Sequence, residues 1–366
     1  HSLNPHFARV YELEDELGSG GYGFVLTARR REDGYEVAVK FIIKSKVPEH
    51  AWMDDEIVGR LPTEIMLLCL LDHPNIVKCL DLFDDPLYFY MVQELHGTPW
   101  HKVNNSSMQM QNESDRAASV SSDPSSSPPL LTASTSRDSV ASTGAPSTPP
   151  HLSLPLSSIA NAKNLATDAE DNIPPVQQFL HPGRPDYRRR PSHDLFECIE
   201  QSEHKRLPED QARHVFRQVV DAVHHLNQQG VAHRDIKDEN ILIDKDLNVK
   251  LVDFGSATIV DPSKPRPYYT LFYGTTAYAA SEILRKKQYQ AAPAEVWTLG
   301  VLLSFLLTGN SPFPTVNDAI DGRMILTDAP DLKLSRSALR LMKICLDPNP
   351  KTRATIEDIR THPWLS

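Results

Sequence analysis

The eight residues His233-Arg234-Asp235-Ile236-Lys237-Asp238-Glu239-Asn240 hold the densest chemistry in the chain. The carboxylate of Asp235 can accept the proton of an attacking hydroxyl. Lys237, two residues on, can neutralise a phosphoryl group in transit, and the amide oxygen of Asn240 is a hard ligand that suits Mg²⁺. Asp253 opens Asp253-Phe254-Gly255, eighteen residues after Asp235, and would be the bridging Mg²⁺ ligand. A merely charged surface loop would need neither this set nor this order.

Gly18-Ser19-Gly20-Gly21-Tyr22-Gly23 is a GxGxxG. Its glycines let backbone amides approach phosphates without Cβ clashes, although a plain glycine-rich turn has the same composition. A dinucleotide fingerprint would have to open a helix, whereas Phe24-Val25-Leu26-Thr27-Ala28 continues as strand and reaches a turn at Asp33-Gly34. A strand–glycine loop–strand can cover nucleotide phosphates. Lys40 sits within the apolar run from Val37 to Ile43, where an unpaired charge is costly, so it needs an anionic partner. Glu64, on the next predicted helix, is the candidate. Glu56, in a region placed before that helix, is the competing acid.

These residues must be positioned by elements of two kinds. YELEDELGSG, FVLTARR, YEVAVKFII, DHPNIVKCLDLF and LYFYMVQEL read as strands, with one helix in LPTEIMLLCLLD that sets Ile65, Leu68 and Leu71 on one side. After residue 191 the signal is mainly helical. EDQARHVFRQVVDAVHHLNQQG puts Val215, Val219, Val223 and Leu226 on one stripe, with Gly230 suited to the helix C-terminus. Short strands follow around ILID and VKLVD. The order is a small β-rich lobe, then a larger α-rich lobe, which is an α+β class.

Composition bounds the rest. The 366 residues carry 38 Lys and Arg against 48 Asp and Glu, a formal charge of −10. That disfavours general binding to nucleic acid or anionic membrane, leaving room only for a local basic patch. The four cysteines, Cys69, Cys79, Cys198 and Cys345, form no CxxC, which argues against a disulfide framework or zinc ribbon and fits a reducing compartment. A cytoplasmic location is expected, with the nucleus as the alternative. The longest apolar run, Val296 to Leu307, is interrupted by Thr298, Gly300 and Ser304 and is too short to span a bilayer. The N-terminus has no apolar signal core, and without an initiator Met the chain is expected to be a piece of a longer protein.

Composition breaks near Trp100. From Lys102 to Gln178 there is no Phe, Trp, Tyr or Cys, and residues 121–140 hold eight serines. Such a segment cannot bury enough apolar area to offset its ordering entropy. Residues 101–191 are therefore expected to be a disordered insertion, ending in the basic run RPDYRRRP. Its Ser/Thr-Pro sites and basic run would make a regulatory or docking segment; a neutral low-complexity expansion is the other reading.

The motifs GxGxxGxV, VAVK, HRDIKDEN and DFG, in this order, resemble the eukaryotic protein kinase family across about 11–100 and 192–364, and Lys237 points to the serine/threonine branch. FIIKSKVPEHAWMDDEIVGRLPTEI, QELHG, SHDLFECIE and LVDFGSA are further similar to catalytic domains of PAS-domain kinases, particularly fungal ones. The resemblance implies a bilobal kinase fold in one domain, 11–364. The N-lobe and hinge would be 11–96, the insertion 101–191 and the C-lobe 192–364. It implies ATP and Mg²⁺ as cofactors, protein substrates, an upstream PAS sensor region, and a link between nutrient state and carbohydrate metabolism. Oligomeric state is not readable.

It also implies roles by position. Lys40 and Glu64 would form the phosphate-orienting pair. Gln93 would be the gatekeeper, with Glu94 to His96 the hinge that bonds adenine. Val25, Ala38 and Leu242 would sandwich the ring. Asp194 and Glu239 would face the peptide groove and favour upstream Arg or Lys, although both acids could simply be solvated. Thr275 would bond Asp235 and Lys237. Three departures stand out. Ala280-Ser281-Glu282 replaces APE, keeping an acid for Arg353. Glu295 replaces the aspartate that holds the catalytic loop, which requires a small helix shift. The segment from Thr270 to Gly274 is one residue longer than usual, which argues against Thr270 as a phosphosite; Arg234 would bind a phosphate there, or else another acid. Two rival classes remain: a nucleotide-binding scaffold without turnover, and a kinase of small molecules.

Overall fold

Strand alternation divides the small lobe into an outer face and a cleft face. In the computed structural model, which describes residues 2–56, 59–97, 193–261, 264–326 and 333–366, helix α1 (Pro5–Val10) leads into β1 (Tyr11–Gly20), β2 (Gly23–Arg30) and β3 (Glu36–Ile43). With β6 (Cys79–Asp84) and β7 (Tyr88–Glu94) these form an antiparallel sheet of order β1-β2-β3-β7-β6. Along β3, Val37, Val39 and Phe41 join the outer cluster, while Ile42 joins the core on the opposite face. A period of two therefore turns Ala38 and Lys40 to the cleft. The expected insertion, 101–191, lies outside the described residues.

The outer face is closed by aromatic packing. Asn4 caps α1 by accepting from the backbone N–H groups of His6 and Phe7, at 2.8 and 3.1 Å. Phe7 then sits against Tyr11, Phe41, Phe83 and Tyr90, with centroids 5.1–6.2 Å apart. This helix was not foreseen: six residues give too short a pattern to register in the sequence.

Residues 44–62 also depart from expectation. Two 3-10 turns, Lys44–Lys46 and Glu49–Ala51, precede a small hairpin of β4 (Trp52–Asp55) and β5 (Gly59–Pro62). Helix α2 (Thr63–Leu70) follows and is buried on nearly every side, at Thr63 to Leu68 and Leu70. Ile65, Leu68 and Leu71 are buried in one core, with Leu71 just past the helix end, and the remaining sides are covered as well. Hairpin, sheet and larger lobe enclose the helix, and an enclosed helix needs no polar face.

In the larger lobe, α3 (Leu195–Gln201) precedes α4 (Glu209–Gln228), whose predicted stripe of Val215, Val219, Val223 and Leu226 is buried. Then come β8 (Val231–Ala232), the hairpin of β9 (Ile241–Ile243) and β10 (Val249–Leu251), β11 (Thr258–Ile259) and α5 (Ser281–Leu284). Helix α6 (Ala291–Thr308) extends beyond the apolar run read from sequence. By length and composition alone its 18 residues could cross a membrane, but 83% of them are buried inside the lobe. Helices α7 (Val316–Asp321), α8 (Arg336–Cys345) and α9 (Ile356–Arg360) complete it.

The lobes meet at the β9–β10 hairpin. The Val77 N–H donates to Leu251 O at 3.0 Å and the Leu251 N–H to Asn75 O at 2.8 Å. The Asn75 amide also donates to Val249 O at 2.8 Å. At the hinge, Lys250 pairs with Glu94 at 2.8 Å and the His96 Nε2 lies 2.9 Å from Asn248 O. Gly97, at φ +99°, presses so closely on His193 that a Cβ would fall 2.6 Å from that residue's own Cβ. The described chain thus leaves the hinge and re-enters the larger lobe at one point.

Candidate active site

The catalytic-loop motif follows β8, where the backbone is held by a side chain from α6. Glu295, buried in that helix, accepts through Oε1 from the backbone N–H groups of His233 (2.7 Å) and Arg234 (3.0 Å). Arg234 is at φ +65°, a conformation that non-glycine residues adopt only when the surroundings hold it. The His233 ring packs 4.6 Å from Phe254, and its Nε2 lies 3.0 Å from Val252 O.

Burial pushes the Glu295 carboxyl up to about 7, although the two N–H groups favour its ionised form. The folded protein therefore keeps this proton to higher pH than the unfolded chain. Stability from this group is complete below the ordinary value of 4.5 and is lost as pH rises through about 7. Glu295→Gln retains an oxygen acceptor and has no such proton to lose. We expect its melting temperature, relative to the parent, to increase steadily between about pH 5 and pH 8. A difference that stays constant over that range would refute the assignment.

Asp235 is fixed at both oxygens. Its Oδ1 accepts from the Thr275 N–H and hydroxyl, each at 2.9 Å, and its Oδ2 from the Asn240 amide at 3.1 Å. The same amide donates to Asp235 O at 2.8 Å, which leaves the Asn240 carbonyl oxygen as its remaining acceptor. Lys237 lies 3.8 Å from Asp235 but rests on Glu239 at 2.7 Å. Burial pulls the Lys237 ammonium down, yet Glu239 and Asp235 outweigh it and hold the pKa above its ordinary value.

Across the cleft, Lys40 bonds Glu64 and lies 3.0 Å from Asp253. Burial pulls Lys40 down, but Asp253 and Glu64 outweigh it and keep it charged. The Lys40 cation lowers Asp253 to about 2, so this carboxylate is ionised throughout the physiological range. Glu56, the competing acid, is exposed in the β4–β5 turn, so the structure settles the partner as Glu64.

A cleft of about 300 Å³ joins Lys40, Asn240 and Asp253. Gly18, Ser19, Gly20, Gly21, Gly23, Val25 and Ala38 line its upper side, Gln93, Glu94 and His96 its back, and Leu242, Asn240 and Asp253 its floor. Gly20 pairs with Gly23, making the glycine loop a tight hairpin over Gly21-Tyr22. A Cβ on Gly23 would lie 1.8 Å from Phe41 O, so no other residue fits there. The side chains of Glu94 and His96 point to Lys250 and Asn248, which leaves backbone groups at the hinge to face a ligand.

Two expected site residues are engaged otherwise. Asp194 caps α3, accepting from the Glu197 N–H at 2.8 Å. Glu239 carries Lys237. Thr275 is brought to Asp235 as expected, through its hydroxyl and N–H, but the expected bond to Lys237 is absent among the described residues.

In the segment after Asp253, Arg234 meets no carboxylate within ion-pair distance among the described residues. Its Nε donates to Ser256 O at 2.7 Å and its guanidinium lies over the rings of Tyr269 and Tyr273, 5.2 and 5.3 Å from their centroids. Where an acid was expected, Arg234 thus meets two tyrosine faces. No spacing rule identifies such a pair, because the rings reach Arg234 from an irregular loop. Thr270 beside them is exposed. Glu282 and Arg353 do pair, at 2.7 and 2.9 Å.

The chain matches the protein kinase domain over residues 11–120 and 188–365. It belongs to that family. This kinase is 30% identical to the PAS domain-containing serine/threonine-protein kinase of Mus musculus, over 97% of this chain and 18% of that protein. It is 26% identical to serine/threonine-protein kinase PSK1 of Saccharomyces cerevisiae, over 96% of this chain and 19% of that one. It is also 41% identical to CBL-interacting protein kinase 4 of Oryza sativa subsp. japonica, over 47% of this chain and 38% of that protein. The chain thus spans about a fifth of the length of the first two relatives. Members of the protein kinase family use ATP as substrate and act on proteins.

Proposed function

We propose that this kinase transfers the γ-phosphate of ATP, in a Mg²⁺-dependent reaction, to Ser or Thr in segments with Arg or Lys upstream. The observation that carries the reading is Asp235, fixed at both oxygens and bonded to Asn240, which lines one cleft with Lys40 and Asp253, while Glu64 holds Lys40 from behind. Asp235 orients the hydroxyl and accepts its proton. Lys40 and Lys237 balance charge on the phosphates. Asp253 and Asn240 offer a carboxylate and an amide oxygen, an all-oxygen set that fits Mg²⁺, whose bound charge would neutralise phosphate oxygens. Backbone groups at Glu94 to His96 take the adenine, between Val25 and Ala38 above and Leu242 below.

Upstream basic residues would meet Glu239 and Asp194. Glu239 is half exposed, and once Lys237 turns to phosphate its carboxylate is free for a guanidinium. The test is phosphate transfer to paired peptides with and without upstream Arg. We expect activity that EDTA abolishes and excess Mg²⁺ restores, with the Arg peptide preferred. Glu239→Gln should raise KM about tenfold for the Arg peptide alone. Equal use of both peptides by the parent would remove the substrate assignment.

A further inference from the structure

Outside the active site, Cys69 and Cys79 face each other with their Sγ atoms 3.6 Å apart. Cys69 lies in the last turn of α2, the helix that carries Glu64. Cys79 begins β6, the edge strand of the sheet, directly opposite Gln93. Both side chains are partly accessible, whereas Cys198 and Cys345 are buried. The β6–β7 register shifts between Cys79 and Asp81, so the strand is irregular where a sulfur would have to move. Closing 3.6 Å to a bond of about 2 Å requires a displacement of about 1.5 Å shared by two side chains.

We propose that Cys69 and Cys79 form a dithiol site that hydrogen peroxide converts to an intramolecular disulfide stapling α2 to β6. Cys69 Sγ attacks one peroxide oxygen, the O–O bond breaks, and water leaves behind a sulfenic acid on Cys69. Cys79 Sγ then attacks the Cys69 sulfur. The S–S bond forms, the S–O bond breaks, and hydroxide departs with the Cys79 proton as a second water. The sulfurs lose two electrons and the peroxide gains them. Cys69 is the first attacker: the hydrogen bond it shares with Cys79 lowers its pKa, while that bond, with burial, raises that of Cys79, whose thiol also turns to Asp81 O at 3.7 Å.

The staple closes a loop of residues 69–79 and removes freedom from the unfolded chain. The test treats the whole chain with hydrogen peroxide and maps peptides without reduction, with Cys69→Ser and Cys79→Ser alongside. We expect a Cys69–Cys79 crosslink that dithiothreitol reverses. The melting temperature should rise by roughly 5–10 °C on oxidation, in the parent only. Both variants should keep the parent's activity when reduced, which shows that they fold. Three results would overturn the proposal: sulfinic acid on Cys69 without a crosslink, a bridge to Cys198 or Cys345, or a disulfide between two chains.

Discussion

Replacing Asp235 by Asn lowers kcat by about 10³-fold, while nucleotide still raises the melting temperature as it does in the parent. The substitution keeps the shape and an oxygen that can accept from Thr275, so the loop has no steric reason to move. It removes the negative charge that takes the proton of the incoming hydroxyl. It also sets an N–H₂ group against the Asn240 amide, where two donors meet without an acceptor. Steady-state kinetics with a peptide substrate, beside a nucleotide titration by thermal shift, separates the effects. A loss smaller than tenfold would mean that Asp235 is not the proton acceptor. Loss of nucleotide stabilisation would mean that the variant has disturbed the cleft.

The largest effect on stability is expected at Arg353. Its side chain is fully buried and that of Glu282 nearly so. The guanidinium makes two bonds to Glu282, donates to Asp347 O at 2.8 Å and Pro293 O at 2.7 Å, and lies 5.0 Å from the centroid of Trp297. Arg353→Met strands the Glu282 carboxylate without its partner, at a cost of about 3–5 kcal/mol, or roughly 10 °C for a domain of this size. Adding Glu282→Leu removes the stranded charge, so the double variant should recover part of the loss. Urea denaturation of the two single variants and the double variant measures the coupling. Strict additivity would show that the two residues do not act as a pair.

Motifs made the site legible in sequence, because each functional group lies at a short fixed offset from a backbone feature. Asp235, Asn240 and Asp253 needed only the chain order, and Lys40 only the alternation of a strand. The Glu64 partner required tertiary contact to decide it against Glu56. The hairpin over 52–62 was not legible, since a four-residue strand such as Trp52–Asp55 carries too little pattern. Nor was the Tyr269–Arg234–Tyr273 stack, where irregular backbone sets the distance. Glu295 shows the middle case. Its position was read correctly, but that its longer side chain reaches both N–H groups is visible only in three dimensions.

Two of the attachments between the lobes converge on one short hairpin. Residues 75–77 bond to Val249 and Leu251, while Glu94 and His96 bond to Lys250 and Asn248. Two anchors define an axis, and rotation about the line joining them would strain the hairpin least, at the cost of parting Lys40 from Asp253. The glycine loop, at the far end of that lever, sweeps the widest arc for the smallest change at the fulcrum. Cleft opening then needs no break in the aromatic packing of the outer face, which turns as a single body. Release of a nucleotide from the proposed site would then depend on bending at this hairpin as well as on the cleft walls.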